Sequence, residues 1–171
     1  MSGKPTWIEM KVTGLTIDPF TSMPIVILKD LQETKALPIW VGLIEASSIA
    51  TELEKIQLAR PMTHDLMKNM LQAIDVKVEK VMITDLKDNT FYAQIVLKRD
   101  QTYITLDARP SDSIALALRA NAAIFVENGV VEKARQIDLS KELFDEKGAK
   151  GQKWAEILEG LSADDFGKYK M

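Results

Sequence analysis

The stretch from Val76 to Ala120, VKVEKVMITDLKDNTFYAQIVLKRDQTYITLDARPSDSIALALRA, decides the fold. Its first part, Val76 to Thr84, alternates apolar Val76 and Val78, then Val81 and Ile83, with polar residues, the period of a half-buried strand. The Asp88-Asn89 turn leads into a second strand, Phe91 to Leu97, and a third runs from Tyr103 to Asp107. A helix follows from Asp112 to Ala120, with Ile114, Ala117 and Leu118 on its inward side. Short connections between the strands predict antiparallel pairing, and the helix must bury its stripe against the resulting sheet.

The same order occurs earlier in the chain. Ile8 to Ile17 alternates, with Ile8, Met10 and Val12 on one face; Pro24 to Leu28 and Ala36 to Val41 are the next strands. Beyond Gly42, a helix from Glu45 to Ile56 carries Ala46, Ile49, Ala50 and Leu53 on one stripe. Sixteen positions separate Val12 from Leu28, as they separate Val81 from Leu97, and Ser48-Ile49-Ala50 lines up with Ser113-Ile114-Ala115. The fold class expected is α+β: duplicated βββα units forming an antiparallel sheet with helices packed on it. Between the units lies an extra helix, Thr63 to Ile74, whose apolar side is Leu66, Met67, Met70, Leu71 and Ile74. A short strand, Ala123 to Val126, and an Asn128-Gly129 tight turn close a domain spanning 1–133. Residues 134–171 read as a linker, with Gly148 and Gly151 among lysines, and a C-terminal helical arm striped by Trp154, Ile157, Leu158 and Leu161.

Bulk properties narrow the function. The formal net charge is −3 and the pI about 5.3, which argues against a passive nucleic-acid binder with a basic face. It leaves open an enzyme that handles phosphates through a metal ion. Cysteine is absent, so disulfides, thiolate metal sites and a cysteine nucleophile are excluded. His64 is the single histidine; a Ser-His-Asp triad would have to use it, and nothing marks its serine. No run reaches the length of a membrane span and the first ten residues lack an apolar leader core, so a cytoplasmic protein is expected. Open strand edges and the amphipathic arm predict a homo-oligomer, a dimer or higher.

An Arg-Pro motif occurs twice, as Arg60-Pro61-Met62-Thr63-His64-Asp65 and as Arg109-Pro110-Ser111-Asp112. Proline holds each arginine extended. Thr63 and Ser111 are expected helix N-caps, with Asp65 and Asp112 in the first turn. Each motif therefore sets a guanidinium and a carboxylate at a helix mouth, where anions bind. Glu45, Asp107 and Asp112 are candidate ligands for Mg²⁺ or Mn²⁺. Arg60 and Arg109, helped by Thr63 and Ser111, are candidate phosphate clamps, and His64, with Asp65, a candidate acid or base. The plainer reading of the same residues is a set of caps and structural salt bridges, with His64 a solvated first-turn residue. Trp40 offers a face for stacking a base, or a core side chain between Ile39 and Val41.

Three separated motifs resemble one family. Leu37-Pro38-Ile39-Trp40-Val41-Gly42 with Glu45-Ala46, Arg60 to Leu66, and Asp107 to Ala117 resemble, in order, the signatures of the bifunctional nuclease family; Phe91-Tyr92-Ala93 fits as well. The resemblance covers roughly Met10 to Val131. It implies DNase and RNase activity, hence phosphodiester hydrolysis with DNA or RNA as substrate. By position it marks Glu45, Arg60, Thr63, His64, Asp65, Asp107, Arg109, Ser111 and Asp112. The alternative is a non-enzymatic binding or scaffold module in which the Arg-Pro motifs are structural.

Overall fold

The computed structural model describes residues 5–136; the C-terminal arm with its Trp154 stripe lies outside them. Strands β1 (Trp7–Ile17), β2 (Pro24–Asp30) and β3 (Ala36–Trp40) lead into helix α1 (Leu43–Leu53). After α2 (Thr63–Ala73), strands β4 (Lys77–Lys87), β5 (Thr90–Arg99) and β6 (Thr102–Ala108) lead into α3 (Pro110–Ala120). The described chain ends with β7 (Ala123–Glu127) and α4 (Asn128–Gln136).

One seven-stranded sheet runs β3-β2-β1-β7-β4-β5-β6. The two βββα units flank β7 as mirrored halves, each with its third strand at a sheet edge and its helix returning over the sheet. Every pairing is antiparallel except β4 with β7, so the expected antiparallel sheet is mixed. The cause is the crossover through α3: β6 runs parallel to β4, and the returning helix delivers β7 in that same direction. The matched sixteen-residue spacing does not reflect equivalent register. Val12 pairs Leu28, whereas Leu97 pairs Val78, because residues 18–23 connect β1 to β2 but only residues 88–89 connect β4 to β5, and because β4 carries two bulges where β1 carries one.

Burial follows from the alternation. Met10, Val26, Leu28, Val81, Ile83, Ala93, Ile95, Ile124 and Val126 point into one core with Ile49 and Ala50 of α1 and Ile114 to Ala117 of α3. Burying each large aliphatic side chain stabilises the fold by about 1.5–3 kcal/mol. Helix α1 stops at Leu53, short of Ile56, where Lys55 turns left-handed (φ 53°). The apolar side read for α2 is largely solvent-facing: Leu66, Met67, Met70 and Ile74 are exposed, and Leu71 packs against the core. Asn128-Gly129 makes no hairpin turn. It opens α4, because the Asn128 amide donates to Thr6 O (2.8 Å) and its side-chain oxygen accepts from Lys35 Nζ (2.9 Å), while Val130, Val131 and Ala134 enter the core.

Candidate active site

Three helix N-termini converge on one side of the core, and each carries a carboxylate three positions after its N-cap. The N-caps are Gly42, Met62 and Arg109, so Thr63 and Ser111 are not the caps the sequence suggests; Thr63 is the first residue of α2, and Ser111 is buried one position after the Pro110 that starts α3. Proline restricts Arg109 to extended backbone (φ −70°, ψ 146°) and fits the first helical position, where no amide hydrogen is needed. The matching carboxylates are Glu45, Asp65 and Asp112.

Arg109 binds two of them. Its Nε donates to Asp112 Oδ2 at 2.8 Å, and its Nη1 to Glu45 Oε1 at 2.9 Å. Glu45 reaches Arg109 by folding back over its own N-cap: a Cβ at position 42 would collide with the Glu45 carboxylate, so glycine there makes the room. The Arg109 side chain stays 65% exposed, and among the described residues Nη2 and the second Nη1 hydrogen remain for another anion. The bond to Asp112 raises the affinity of this guanidinium for its proton, which keeps it charged.

His64 sits beneath this pair, 8% exposed. Its Nε2 lies 3.1 Å from Asp112 Oδ1 and its Nδ1 2.8 Å from Ser48 Oγ. Burial pushes the Asp112 carboxyl up, but the bonds from Arg109 and His64 outweigh it and hold the group below the usual carboxylate range. An ionised Asp112 only accepts, so Nε2 carries the hydrogen; in the neutral ring Nδ1 is then an acceptor for the Ser48 hydroxyl. Carboxylate, imidazole and hydroxyl thus form one hydrogen-bonded chain, able to serve as a relay that takes a proton from the hydroxyl to the ring, with the ring nitrogens exchanged relative to a hydrolytic triad.

The third carboxylate has a different partner. Asp65 Oδ2 accepts the Met62 amide at 2.9 Å and its Oδ1 accepts Arg119 Nε at 2.6 Å. Burial pushes the Asp65 carboxyl up, and these bonds more than reverse it. The Arg119 side chain is 3% exposed and also donates to Ala115 O and Ser48 O (3.0 and 3.1 Å), so it ties α2 and α1 to α3 directly behind the relay.

Ser48, Thr63, His64, Arg109 and Asp112 line one cavity of about 250 Å³, with apolar Ile44, Leu58 and Met62 at its side. A second chamber of about 420 Å³ lies between Trp40 and Phe91 and shares Glu45 and Arg109 with the first. Residues from β3 and from the β4–β5 turn both line it. Ser111 lines this second chamber.

Two named candidates stand apart. Arg60 is exposed in the loop before α2 and joins none of these bonds. Asp107 is exposed on edge strand β6, opposite Gln94 in the register. Among the described residues no three histidine or acidic side chains group closely enough to hold a metal ion. Glu45 and Asp112 are instead bridged by the Arg109 guanidinium, which stands where a cation would. As arranged, the donor set of Glu45, Asp107 and Asp112 does not fit Mg²⁺ or Mn²⁺. Sequence reasoning missed Ser48 and Arg119. Ser48 lies three positions after Glu45, on the same helix face, and that spacing is the signal that would have found it.

Comparison with known proteins agrees with the motifs. Residues 26–138 match the Bifunctional nuclease domain. An uncharacterized protein of Mycobacterium tuberculosis is 35% identical over 164 residues, covering 92% of this chain and 97% of that protein. Bifunctional nuclease 1 of Arabidopsis thaliana is 28% identical over 117 residues, 66% of this chain and 36% of the plant protein. Bifunctional nuclease 1 of Oryza sativa subsp. japonica is 28% identical over 97 residues, 55% of this chain and 29% of its own length. The chain therefore spans about a third of the plant proteins it matches, and nearly all of the mycobacterial one. It belongs to the bifunctional nuclease domain family.

Proposed function

For a member of the bifunctional nuclease domain family, we propose an enzyme that hydrolyses phosphodiester bonds of DNA and RNA with little sequence preference. The observation that carries the reading is His64, held between Ser48 and Asp112 at the base of a cavity that Arg109 borders. The free N–H groups of Arg109 bind the non-bridging oxygens of a phosphate and stabilise the charge that builds there during attack. Through the Ser48 hydroxyl bonded to its Nδ1, His64 accepts the proton of an attacking water as that oxygen bonds to phosphorus; the P–O bond opposite breaks in line, and the leaving oxygen takes its proton from solvent. Asp112 fixes the ring and stabilises the imidazolium. Glu45 aligns Arg109, and Asp65 acts through Arg119 on the position of Ser48.

Purified protein should cleave single-stranded DNA and RNA, and Asp112→Ala should reduce cleavage by at least about 100-fold, the scale of one acid–base group. Equal activity in both proteins would mean a contaminating nuclease and end the assignment. Chelation with EDTA tests the metal separately: activity lost and restored by Mg²⁺ or Mn²⁺ would require Arg109 to move off Glu45 and Asp112.

One observation favours a second reading, a non-enzymatic binding or scaffold module. The Arg109–Glu45 pair joins the two βββα units, as a purely structural strut would. On that reading Arg109→Ala lowers Tm by several degrees and affects no phosphate ligand; loss of phosphate binding at unchanged Tm rejects it.

The same proposal includes a cytoplasmic place of work and a homo-oligomer. Among the described residues no helix is long and apolar enough to cross a membrane. Edge strand β6 leaves Tyr103, Ile104 and Leu106 exposed and carries no lysine, proline or bulge to block pairing with another copy. Light-scattering mass at micromolar concentration checks it, and a monomer would contradict it.

A further inference from the structure

The second chamber takes no part in the proton relay. We propose that it is a nucleobase subsite, in which a base stacks on Trp40 and Phe91 while the phosphate attached to its sugar meets Arg109. The inference rests on the phosphate role given to Arg109 above and extends it to what flanks the phosphate.

The chamber's size, about 420 Å³, falls within the range of small-ligand sites. Its apolar lining comes from the rings of Trp40 and Phe91 with Pro110, Ile39 and Val41, and its polar lining from Asn89, Thr90 and Ser111 beside the charged Glu45 and Arg109. An acyl chain would leave those polar groups unmatched. A base offers a π-face to the rings and donors and acceptors at its edge to the amide and hydroxyls. The site is also built in advance. The Trp40 indole N–H donates to Asp18 Oδ2 at 2.8 Å, and Asp18 Oδ1 accepts the Phe20 and Thr21 amides at 2.9 and 3.3 Å. The ring is therefore held from its nitrogen edge, and stacking on a held ring costs little further ordering. Arg109 and Glu45 border both chambers, so an anion on the guanidinium has the relay on one side and the aromatic chamber on the other. Stacking tolerates any base, which suits a nuclease without strong sequence preference.

The test compares binding of adenosine 5′-monophosphate, ribose 5-phosphate and orthophosphate to the full chain by calorimetry. Stacking predicts that the nucleotide binds about 5- to 150-fold more tightly than ribose 5-phosphate. Phe91→Leu keeps apolar volume but removes the π-face. It should shrink that advantage to about twofold or less, on the same stacking scale, and leave ribose 5-phosphate affinity unchanged. Trp40→Leu should do the same, and because it also strips Asp18 of a partner, Phe91→Leu is the control for folding. Equal binding of nucleotide and ribose phosphate in the wild type overturns the subsite and leaves the phosphate role of Arg109 standing. A nucleotide advantage that survives both substitutions also overturns it. If neither phosphate compound binds and no cleavage occurs, the nuclease reading fails, and the subsite with it.

Discussion

Asp112→Asn separates the chemistry of the site from its architecture. The substitution keeps the shape of the side chain and removes its charge. In the wild type, burial works against the Asp112 carboxylate, and the bonds from Arg109 and His64 prevail. Bonds to charged groups contribute about 1.5–3 kcal/mol when fully buried; with 29% of the side chain exposed, a total loss of about 1–2 kcal/mol is expected. For a chain of this size that is a fall in Tm of about 2–8 °C. The pH dependence has a definite sign. The folded carboxyl titrates below its unfolded value of about 3.8, so its contribution is complete above that pH and is lost as pH falls through the folded value. The Tm gap between wild type and variant should therefore be full at pH 6–7 and narrow below about pH 4. Activity should fall further than stability explains, by about 10²–10⁴-fold, because the imidazolium loses its counter-charge. Calorimetry across pH and a single-stranded DNA cleavage assay at 25 °C measure both. A constant Tm gap from pH 3 to 7 with unchanged cleavage would refute the coupling of Asp112 to His64.

Gly42→Ala places a methyl group against the Glu45 carboxylate. Since the Gly42 backbone is extended (φ −69°), the fold should lose under about 1 kcal/mol, while Glu45 leaves Arg109 and kcat falls; circular dichroism melts beside cleavage kinetics check the split. Arg119→Ala removes a buried guanidinium and leaves Asp65 uncompensated, so chemical denaturation should show a loss of about 3–5 kcal/mol. Ile114→Ala empties a fully buried position in α3 and should cost about 2–5 kcal/mol in the same experiment; a loss under 1 kcal/mol would mean that the core is not packed on α3.

Strand β4 was legible because it exposes one face and buries the other, and that alternation survives in the sequence; β2 and β3, buried or half-buried at every residue, were legible as short apolar runs. The parallel β4–β7 pair was not, because a five-residue strand says nothing of its direction. Asn128-Gly129 misled because local turn preference lost to tertiary bonds from Thr6 and Lys35. Glu45, His64, Arg109 and Asp112, which the structure brings together, were named from helix-mouth chemistry, which is local and therefore readable. Arg60 and Asp107 came from the same motifs but stand apart, since the repeat of a motif does not fix where its side chains go. The arginine that pairs Asp65 is Arg119, 54 positions away on another helix. No local pattern encodes such a contact. Ser48 was hidden because it lies off the apolar stripe that defines α1.

The most direct test is the rate of single-stranded DNA and RNA cleavage by the wild type and by His64→Gln, purified identically and matched for Tm within a few degrees. The account predicts cleavage by the wild type and a fall of at least about 100-fold in the variant. Equal rates in the two proteins, or no cleavage by either, would contradict it.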